Sequence, residues 1–238
     1  MSAPADIAAN LAHVRQLIAA SIARAGRDPA SIRLVAVTKT FPPEVIRAGY
    51  ECGLRDFGEN RVQEFCEKLP QLNLPAARFH LIGHLQSNKV HRAMRFDWIQ
   101  TVDSERLARR LNEAAGTAGK RVAVLVQVNL GEEAAKSGVP EQEAQPLAAL
   151  VATLDRLELK GLMTLPPYTD DPEGARPYFR RLRELRDRLR ESGLPQLREL
   201  SMGMTHDFPI AIEEGATIVR IGTAIFGPRA GPRAAHAP

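Results

Sequence analysis

Residues 34–53 of the chain read LVAVTKTFPPEVIRAGYECG. The first four are apolar and rich in β-branched side chains, which is typical of a buried strand. A helix is predicted over residues 43–52, because proline stands at its start and Gly53 follows its end. The stretch therefore predicts one strand followed by one helix, and it places Lys39 just beyond the strand.

The same strand-and-helix unit recurs along the chain. Further strands are predicted at 56–58, 78–82, 98–102, 122–128, 159–163, 197–200 and 218–221. Helical patterns separate most of them, at 62–69, 87–93, 104–118, 141–154, 172–191 and 208–214. Eight such strands in about 200 residues predict an α/β fold, a single (β/α)8 TIM barrel. The alternative, an open doubly wound sheet, usually has fewer strands, and no Gly-x-Gly-x-x-Gly motif follows the first one.

Both ends of the chain are predicted to lie outside the barrel. Near the N-terminus, the apolar residues with helical spacing are Leu11, Val14, Leu17, Ile18 and Ile22. They predict an extra amphipathic helix that packs on the barrel, and the charged residues among them argue against a signal peptide. We assign residues 1–229 to one domain and residues 230–238 to a disordered tail.

Charge and cysteine content narrow the class of protein. The 32 basic and 28 acidic side chains give a net charge of +4, too small to predict nucleic-acid binding. No run of about eighteen apolar residues is present, so no membrane helix is expected. The arginine-rich stretch 180–190 is interpreted as a solvated helix face. Because Cys52 and Cys66 form neither a disulfide framework nor a metal-binding spacing, we expect a cytoplasmic protein without a metal site.

Lys39 is the first candidate for chemistry. Active sites of such barrels lie at the C-terminal ends of the strands, and Lys39 follows the first strand. A partly desolvated amine there would have its charged form disfavoured and would be nucleophilic toward an aldehyde. A surface lysine that merely ends the strand is an equally good interpretation of its position alone.

Two later strand ends predict an anion site. Residues 201–205 (SMGMT) follow the seventh predicted strand, and residues 222–227 (GTAIFG) follow the eighth. Small and hydroxyl-bearing residues at both positions allow backbone N–H and side-chain O–H groups to converge on a phosphate. The alternative is two tight glycine turns.

Arg220 ends the eighth predicted strand and needs a partner if it is buried. A carboxylate on a neighbouring strand is one answer, and a ligand acceptor such as a pyridine nitrogen is the other. A guanidinium group only donates, so a pyridine facing it would stay unprotonated and would be a weaker electron sink.

Weaker candidates surround these three features. Asn60, after the second strand, could bond a ring oxygen, and His84, after the third, is either an acid–base group or a structural histidine. Met163, which ends the sixth, is assigned only to packing, and residues 136–138 (KSG) predict a loop over the barrel mouth.

Together, an amine, a phosphate cradle and an arginine match the aldehyde, phosphate and ring nitrogen of pyridoxal 5′-phosphate. A sugar-phosphate aldolase would also use a lysine and a phosphate site, but it would explain Arg220 less well.

The sequence resembles the pyridoxal phosphate homeostasis proteins over about residues 7–229. The motifs that carry the resemblance are 36–40 (AVTKT), 57–60 (FGEN), 80–89 (HLIGHLQSNK), 161–164 (GLMT), 200–205 (LSMGMT) and 219–227 (VRIGTAIFG). Thr38 and Thr205 stand where the family usually has serine, and both keep a hydroxyl.

The resemblance implies a barrel similar to the N-terminal domain of alanine racemases. It implies pyridoxal 5′-phosphate held as a Schiff base on Lys39, with Arg220 facing the pyridine nitrogen. The residues that it implies around the phosphate are Ser201, Gly203, Gly222 and Thr223.

These features predict a cofactor carrier rather than an enzyme. Racemases of this fold have a second domain that supplies an opposing tyrosine, and a chain of 238 residues has no room for one beyond the barrel. We therefore expect a monomer that buffers the cofactor or delivers it to apo-enzymes. The alternatives are a racemase or lyase that uses His84 or Tyr168 as its base, and a scaffold that has lost its ligand.

Overall fold

The computed structural model describes residues 4–131 and 137–228, apart from the side chains of residues 4 and 5. In these ranges the strands are β1 (Arg33–Val37), β2 (Asp56–Glu59), β3 (Arg78–Leu81), β4 (Trp98–Val102), β5 (Val122–Asn129), β6 (Val139–Pro140), β7 (Leu157–Met163), β8 (Glu199–Met204) and β9 (Ile218–Ile221).

The helices alternate with these strands. They are α1 (Pro4–Arg24), α2 (Pro43–Glu51), α3 (Val62–Lys68), α4 (Val90–Ala93), α5 (Glu105–Thr117), α6 (Glu141–Ala152), α7 (Arg176–Glu191), α8 (Phe208–Glu213) and α9 (Thr223–Phe226). Short 3-10 turns lie at Pro29–Ser31, Leu69–Gln71, Ser87–Lys89 and Pro172–Ala175. None of the helices in the described ranges is long and apolar enough to cross a membrane.

Eight strands close into a parallel barrel. Their order around the ring is β1, β2, β3, β4, β5, β7, β8 and β9, and β9 pairs with β1 to complete it. The two-residue strand β6 pairs with β5 outside the ring. Each barrel strand is followed by one helix, from α2 after β1 to α9 after β9. The predicted (β/α)8 barrel is confirmed.

The extra N-terminal helix is also confirmed. In α1, Leu11, Val14, Ile18 and Ile22 are buried, and the helix packs against α2, α8 and α9. Leu17 differs from the prediction: it is 38% exposed, at the edge of the buried face of the helix.

The strand predicted at 197–200 is wrong in its position, since the observed strand β8 covers Glu199–Met204. Leu197 belongs to the turn after α7, where its N–H donates to the Leu194 carbonyl. Ser201 and Gly203 therefore lie inside β8 and not in a loop after it. Gly203 has a φ of 89°, and the pairing with β9 shifts register between Ser201 and Met204, so β8 is irregular where the sequence suggests a turn.

The arginine-rich face of α7 is an interface as well as a solvated face. Arg176, Arg180 and Arg183 form ion pairs with Glu214, directly after α8. Arg181 and Arg188 pair with Glu141 at the start of α6. The arginines therefore join α7 to both neighbouring helices.

Candidate functional site

A cleft of about 700 Å³ opens at the C-terminal ends of the barrel strands. Five residues expected at the site line it: Lys39, Asn60, Arg220, Gly222 and Thr223. Its volume lies within the range of small-molecule sites, roughly 300–1,000 Å³. Ser201 and Gly203, the other two expected residues, do not line the cleft.

Lys39 follows β1 and is half-buried in the cleft. Hydrogen bonds hold the backbone on both sides of Lys39. Before it, the Thr38 N–H donates to the Gly58 carbonyl at 2.9 Å, and the Thr38 hydroxyl donates to Glu59 Oε1 at 2.8 Å. After it, Thr40 has a left-handed φ of 68°, and its N–H donates to Glu64 Oε1 at 2.6 Å.

A buried lysine joins the two carboxylates that hold this segment. Lys68 Nζ lies 3.0 Å from Glu59 Oε1 and 2.6 Å from Glu64 Oε1, and it donates to the Thr38 carbonyl at 3.1 Å. Burial raises the pKa of Glu59, although the positive charge of Lys68 opposes that change. The ion pairs of Lys68 were not predicted from the sequence, although the i,i+4 spacing of Glu64 and Lys68 indicates one of them.

Arg220, in β9, is 3% exposed and still reaches the cleft. Its Nη1 donates to Ser201 Oγ at 2.6 Å and its Nη2 donates to the Thr164 carbonyl at 3.0 Å. Burial lowers the pKa of Arg220 to about 10, and the negative charge of Asp207 opposes that change. Both observed acceptors are neutral, and a guanidinium has five N–H donors, so donors remain that a ligand can use.

Ser201 and Gly203 lie behind the cleft wall and contact other parts of the barrel. The fully buried Ser201 hydroxyl accepts from Arg220 and donates to Gln100 Oε1 at 2.6 Å, so its single proton is used within the protein. A Cβ on Gly203 would lie 2.6 Å from the Ala211 Cβ, so this glycine allows α8 to pack on β8.

Thr205, which stands where the family usually has serine, lies at the cleft beside two expected residues, Gly222 and Thr223. Its hydroxyl accepts a hydrogen bond from the Thr223 hydroxyl at 3.3 Å. Gly222 and Thr223 begin the short helix α9, whose first amides have no acceptor within the helix. The two hydroxyls and these amides form the part of the cleft that suits an anion.

Gln127 is a second feature that the sequence analysis missed. This β5 residue is 3% exposed and lines the cleft. Its Nε2 donates to the Ser137 carbonyl at 2.8 Å, which leaves Oε1 buried without a hydrogen-bond partner in the described chain. A buried acceptor without a donor is costly, so this atom suits a donor on a ligand.

The two candidate bases both line the cleft and are both open to solvent. His84 Nδ1 lies 3.3 Å from Asp103 Oδ2, and the side chain is 53% exposed. Tyr168 is 77% exposed, with its ring 5.6 Å from that of His206. Ser137 lines the cleft as expected of the 136–138 loop, whereas Lys136 and the predicted tail 230–238 lie outside the described residues.

Comparison with known proteins gives one family over most of the chain. Residues 5–230 match the model of the alanine racemase N-terminal domain. A pyridoxal phosphate homeostasis protein of Aquifex aeolicus is 46% identical over 220 residues, which cover 92% of this chain and 96% of that protein. The protein of the same name from Escherichia coli K12 is 43% identical over 232 residues, covering 94% and 97%.

A solved structure agrees with these relatives. PipY of Synechococcus elongatus, with PLP bound, superposes with a TM-score of 0.82 at 37% identity and covers 93% of this chain and 100% of its own. The chain therefore belongs to the alanine racemase N-terminal domain family and, within it, to the pyridoxal phosphate homeostasis proteins.

Proposed function

We propose that this chain binds pyridoxal 5′-phosphate reversibly as a Schiff base on Lys39, and that it buffers the cofactor in the cytoplasm. One observation carries the proposal: Lys39, the Arg220 guanidinium and the Thr205–Thr223 hydroxyl pair all line a single cleft. The PLP-bound structure of PipY and the names of the relatives support it.

Each part of the cofactor has a suitable group in the cleft. The Lys39 amine condenses with the aldehyde, forming a C=N bond and releasing one water molecule. Thr205, Thr223 and Gly222 suit the phosphate, Arg220 can donate to the ring nitrogen, and Asn60 can bond a ring oxygen. Ser201 and Gly203 are not part of this assignment, because they do not line the cleft.

Two features of the cleft favour holding the cofactor over turning over a substrate. Pyridoxal phosphate supplies an electron sink when it is bound, but a ring nitrogen that accepts from Arg220 stays unprotonated and withdraws electrons less strongly. The candidate bases His84 and Tyr168 are exposed to solvent, so neither lies in the water-excluded setting that favours proton abstraction. We further propose that the chain acts as a monomer and releases the cofactor to apo-enzymes.

The test is incubation of the loaded protein with a panel of L-amino acids in deuterated water. A carrier forms at most a stoichiometric adduct, so Cα deuterium does not accumulate beyond one equivalent. Repeated exchange at Cα, abolished in His84→Ala or Tyr168→Phe, would instead establish a racemase or lyase and contradict the carrier role.

A further inference from the structure

A chain of hydrogen bonds runs from the cleft to the opposite end of the barrel. Arg220 Nη1 lies 2.6 Å from Ser201 Oγ, which lies 2.6 Å from Gln100 Oε1. Gln100 Nε2 lies 3.0 Å from His80 Nδ1, and His80 Nε2 lies 2.9 Å from Asp56 Oδ1. We call these five residues the relay. All five are buried, and they come from five strands, β9, β8, β4, β3 and β2.

The two ends of the relay fix the direction of every bond. A guanidinium can only donate and a carboxylate can only accept. Because Ser201 accepts from Arg220 and donates to Gln100 Oε1, the Gln100 amide must turn its NH₂ group toward His80. His80 Nδ1 is then an acceptor, so the ring proton is on Nε2 and is donated to Asp56. Each residue donates toward Asp56.

The surroundings of His80 agree with a neutral ring. Asp56 accepts from it, Arg33 and Arg78 lie close enough to oppose its protonation, and the Trp98 ring stacks on it at 5.4 Å. Burial, the largest effect, lowers the pKa of His80. Burial opposes ionisation of Asp56, but hydrogen bonds from His80 and Arg78 outweigh it and lower the pKa of that carboxyl.

We propose that Gln100 and His80 are positioning residues for Arg220, and that the Nε2–H tautomer of His80 fixes the orientation of the guanidinium at the cleft. The inference rests on the proposed function, in which Arg220 faces the ring nitrogen of pyridoxal phosphate. If His80 carried a proton on Nδ1, it would oppose the Gln100 NH₂ group. The amide would have to flip, and the Ser201 O–H would then lose its acceptor, which removes the polarisation that strengthens the bond Ser201 accepts from Arg220.

The decisive variant is Gln100→Glu, which keeps the size of the side chain and removes its donor. A glutamate at this position accepts from Ser201 and also needs a donor on His80, so it draws a proton onto Nδ1. Nitrogen-15 NMR of the ligand-free protein reports both the tautomer of His80 and the side-chain signals of Arg220. Gln16→Glu, at an exposed position on α1, is the matched control.

We expect a neutral Nε2–H His80 and restricted Arg220 signals in the wild type and in Gln16→Glu. Gln100→Glu is expected to protonate His80 and to shift the Arg220 signals. It should also weaken pyridoxal phosphate binding about tenfold, which corresponds to about 1.4 kcal/mol of binding free energy. Ser201→Ala is a second variant that frees Arg220 without a new charge, and its Arg220 signals should lose their restriction.

The proposal is overturned if wild-type His80 is an imidazolium or carries its proton on Nδ1. It is equally overturned if the Arg220 signals are unchanged in Gln100→Glu, while the change in Ser201→Ala shows that these signals respond when the guanidinium loses a partner. Both readings are made without a ligand, so they remain decisive even if the protein binds no pyridoxal phosphate, a result that would contradict the proposed function separately.

Discussion

The Thr223 hydroxyl donates to the Thr205 hydroxyl across a distance of 3.3 Å. The two residues follow different strands, since Thr205 comes directly after β8 and Thr223 begins α9, the helix after β9. Their contact places two hydroxyl groups side by side at the cleft, close to the first amides of α9. Paired hydroxyl groups beside unpaired amides suit a phosphate group, and we propose that they bind the phosphate of the cofactor.

Removal of one hydroxyl should therefore weaken cofactor binding. Thr223→Val keeps the shape of the side chain but leaves the phosphate one donor short, and we expect about five- to tenfold weaker binding, equivalent to about 1–1.4 kcal/mol. Titration of the apo-protein with pyridoxal phosphate measures the effect. Thr223→Ser should retain the wild-type affinity, and equal affinities for all three proteins would exclude this phosphate site.

The buried ion pair beneath Lys39 predicts a loss of stability. Lys68→Met leaves the fully buried Glu59 carboxylate without its cation, which should lower the free energy of unfolding by about 3 kcal/mol. Urea denaturation followed by circular dichroism gives this value. The double variant Glu59→Gln/Lys68→Met removes both charges and should recover a large part of the loss. A single variant as stable as the wild type would show that the pair does not hold this segment.

The ion pairs of Glu214 predict a pH dependence of stability. Burial opposes ionisation of this carboxyl, but hydrogen bonds from Arg180 and Arg176 and the charge of Arg183 outweigh it, so its pKa is lowered. Because the pKa is lower in the folded protein, the ionised Glu214 stabilises the fold at pH values above the unfolded pKa of about 4.3. That contribution is lost as the pH falls through the folded pKa.

Glu214→Gln isolates this contribution. We expect the variant to be about 2 kcal/mol less stable than the wild type at neutral pH, because Arg180 and Arg183 then lose their anion and Arg176 keeps only Glu173 and Glu213. The difference should shrink as the pH falls through the lowered pKa of Glu214, because the wild-type glutamate then becomes protonated as well. Denaturant titrations at several pH values test it, and a difference that stays constant or grows on acidification would contradict the assignment.

The contact between Arg220 and the cofactor ring predicts a spectral change. Arg220→Glu replaces a hydrogen-bond donor with a carboxylate that can accept a hydrogen bond from a pyridinium N–H, so the ring nitrogen should become protonated and the absorption band of the bound cofactor should shift. Arg220→Gln is the matched control, because its amide can still donate to an unprotonated nitrogen. Identical spectra for the two variants would place the ring nitrogen elsewhere.

The local patterns were enough to predict the barrel but not its interior. Strand and helix periodicity located seven of the eight barrel strands, and it failed at β8 because Ser201 and Gly203 resemble turn residues. In the structure both small residues lie where neighbouring groups approach β8 closely: Ser201 accepts a hydrogen bond from Arg220, and Gly203 packs against α8. No local pattern reveals such contacts.

The same reason explains what was missed at the site. Lys39 and Arg220 were predictable because each follows or ends an apolar run. The support from Lys68 to Glu59 and the bond from Ser201 to Gln100 join residues on different elements, so they depend on the closure of the barrel. Gln127 was missed because only the structure shows that its oxygen lacks a partner among the described residues.

The central claim is that Lys39 forms the Schiff base, and reductive trapping tests it most directly. The protein is incubated with pyridoxal phosphate, reduced with borohydride, digested and mapped by mass spectrometry. We predict one phosphopyridoxyl group per chain, located on Lys39, and none on the corresponding peptide of Lys39→Ala, whose visible absorption band should also be lost. A label on another lysine in the wild type, or an unchanged absorption band in Lys39→Ala, would contradict the account.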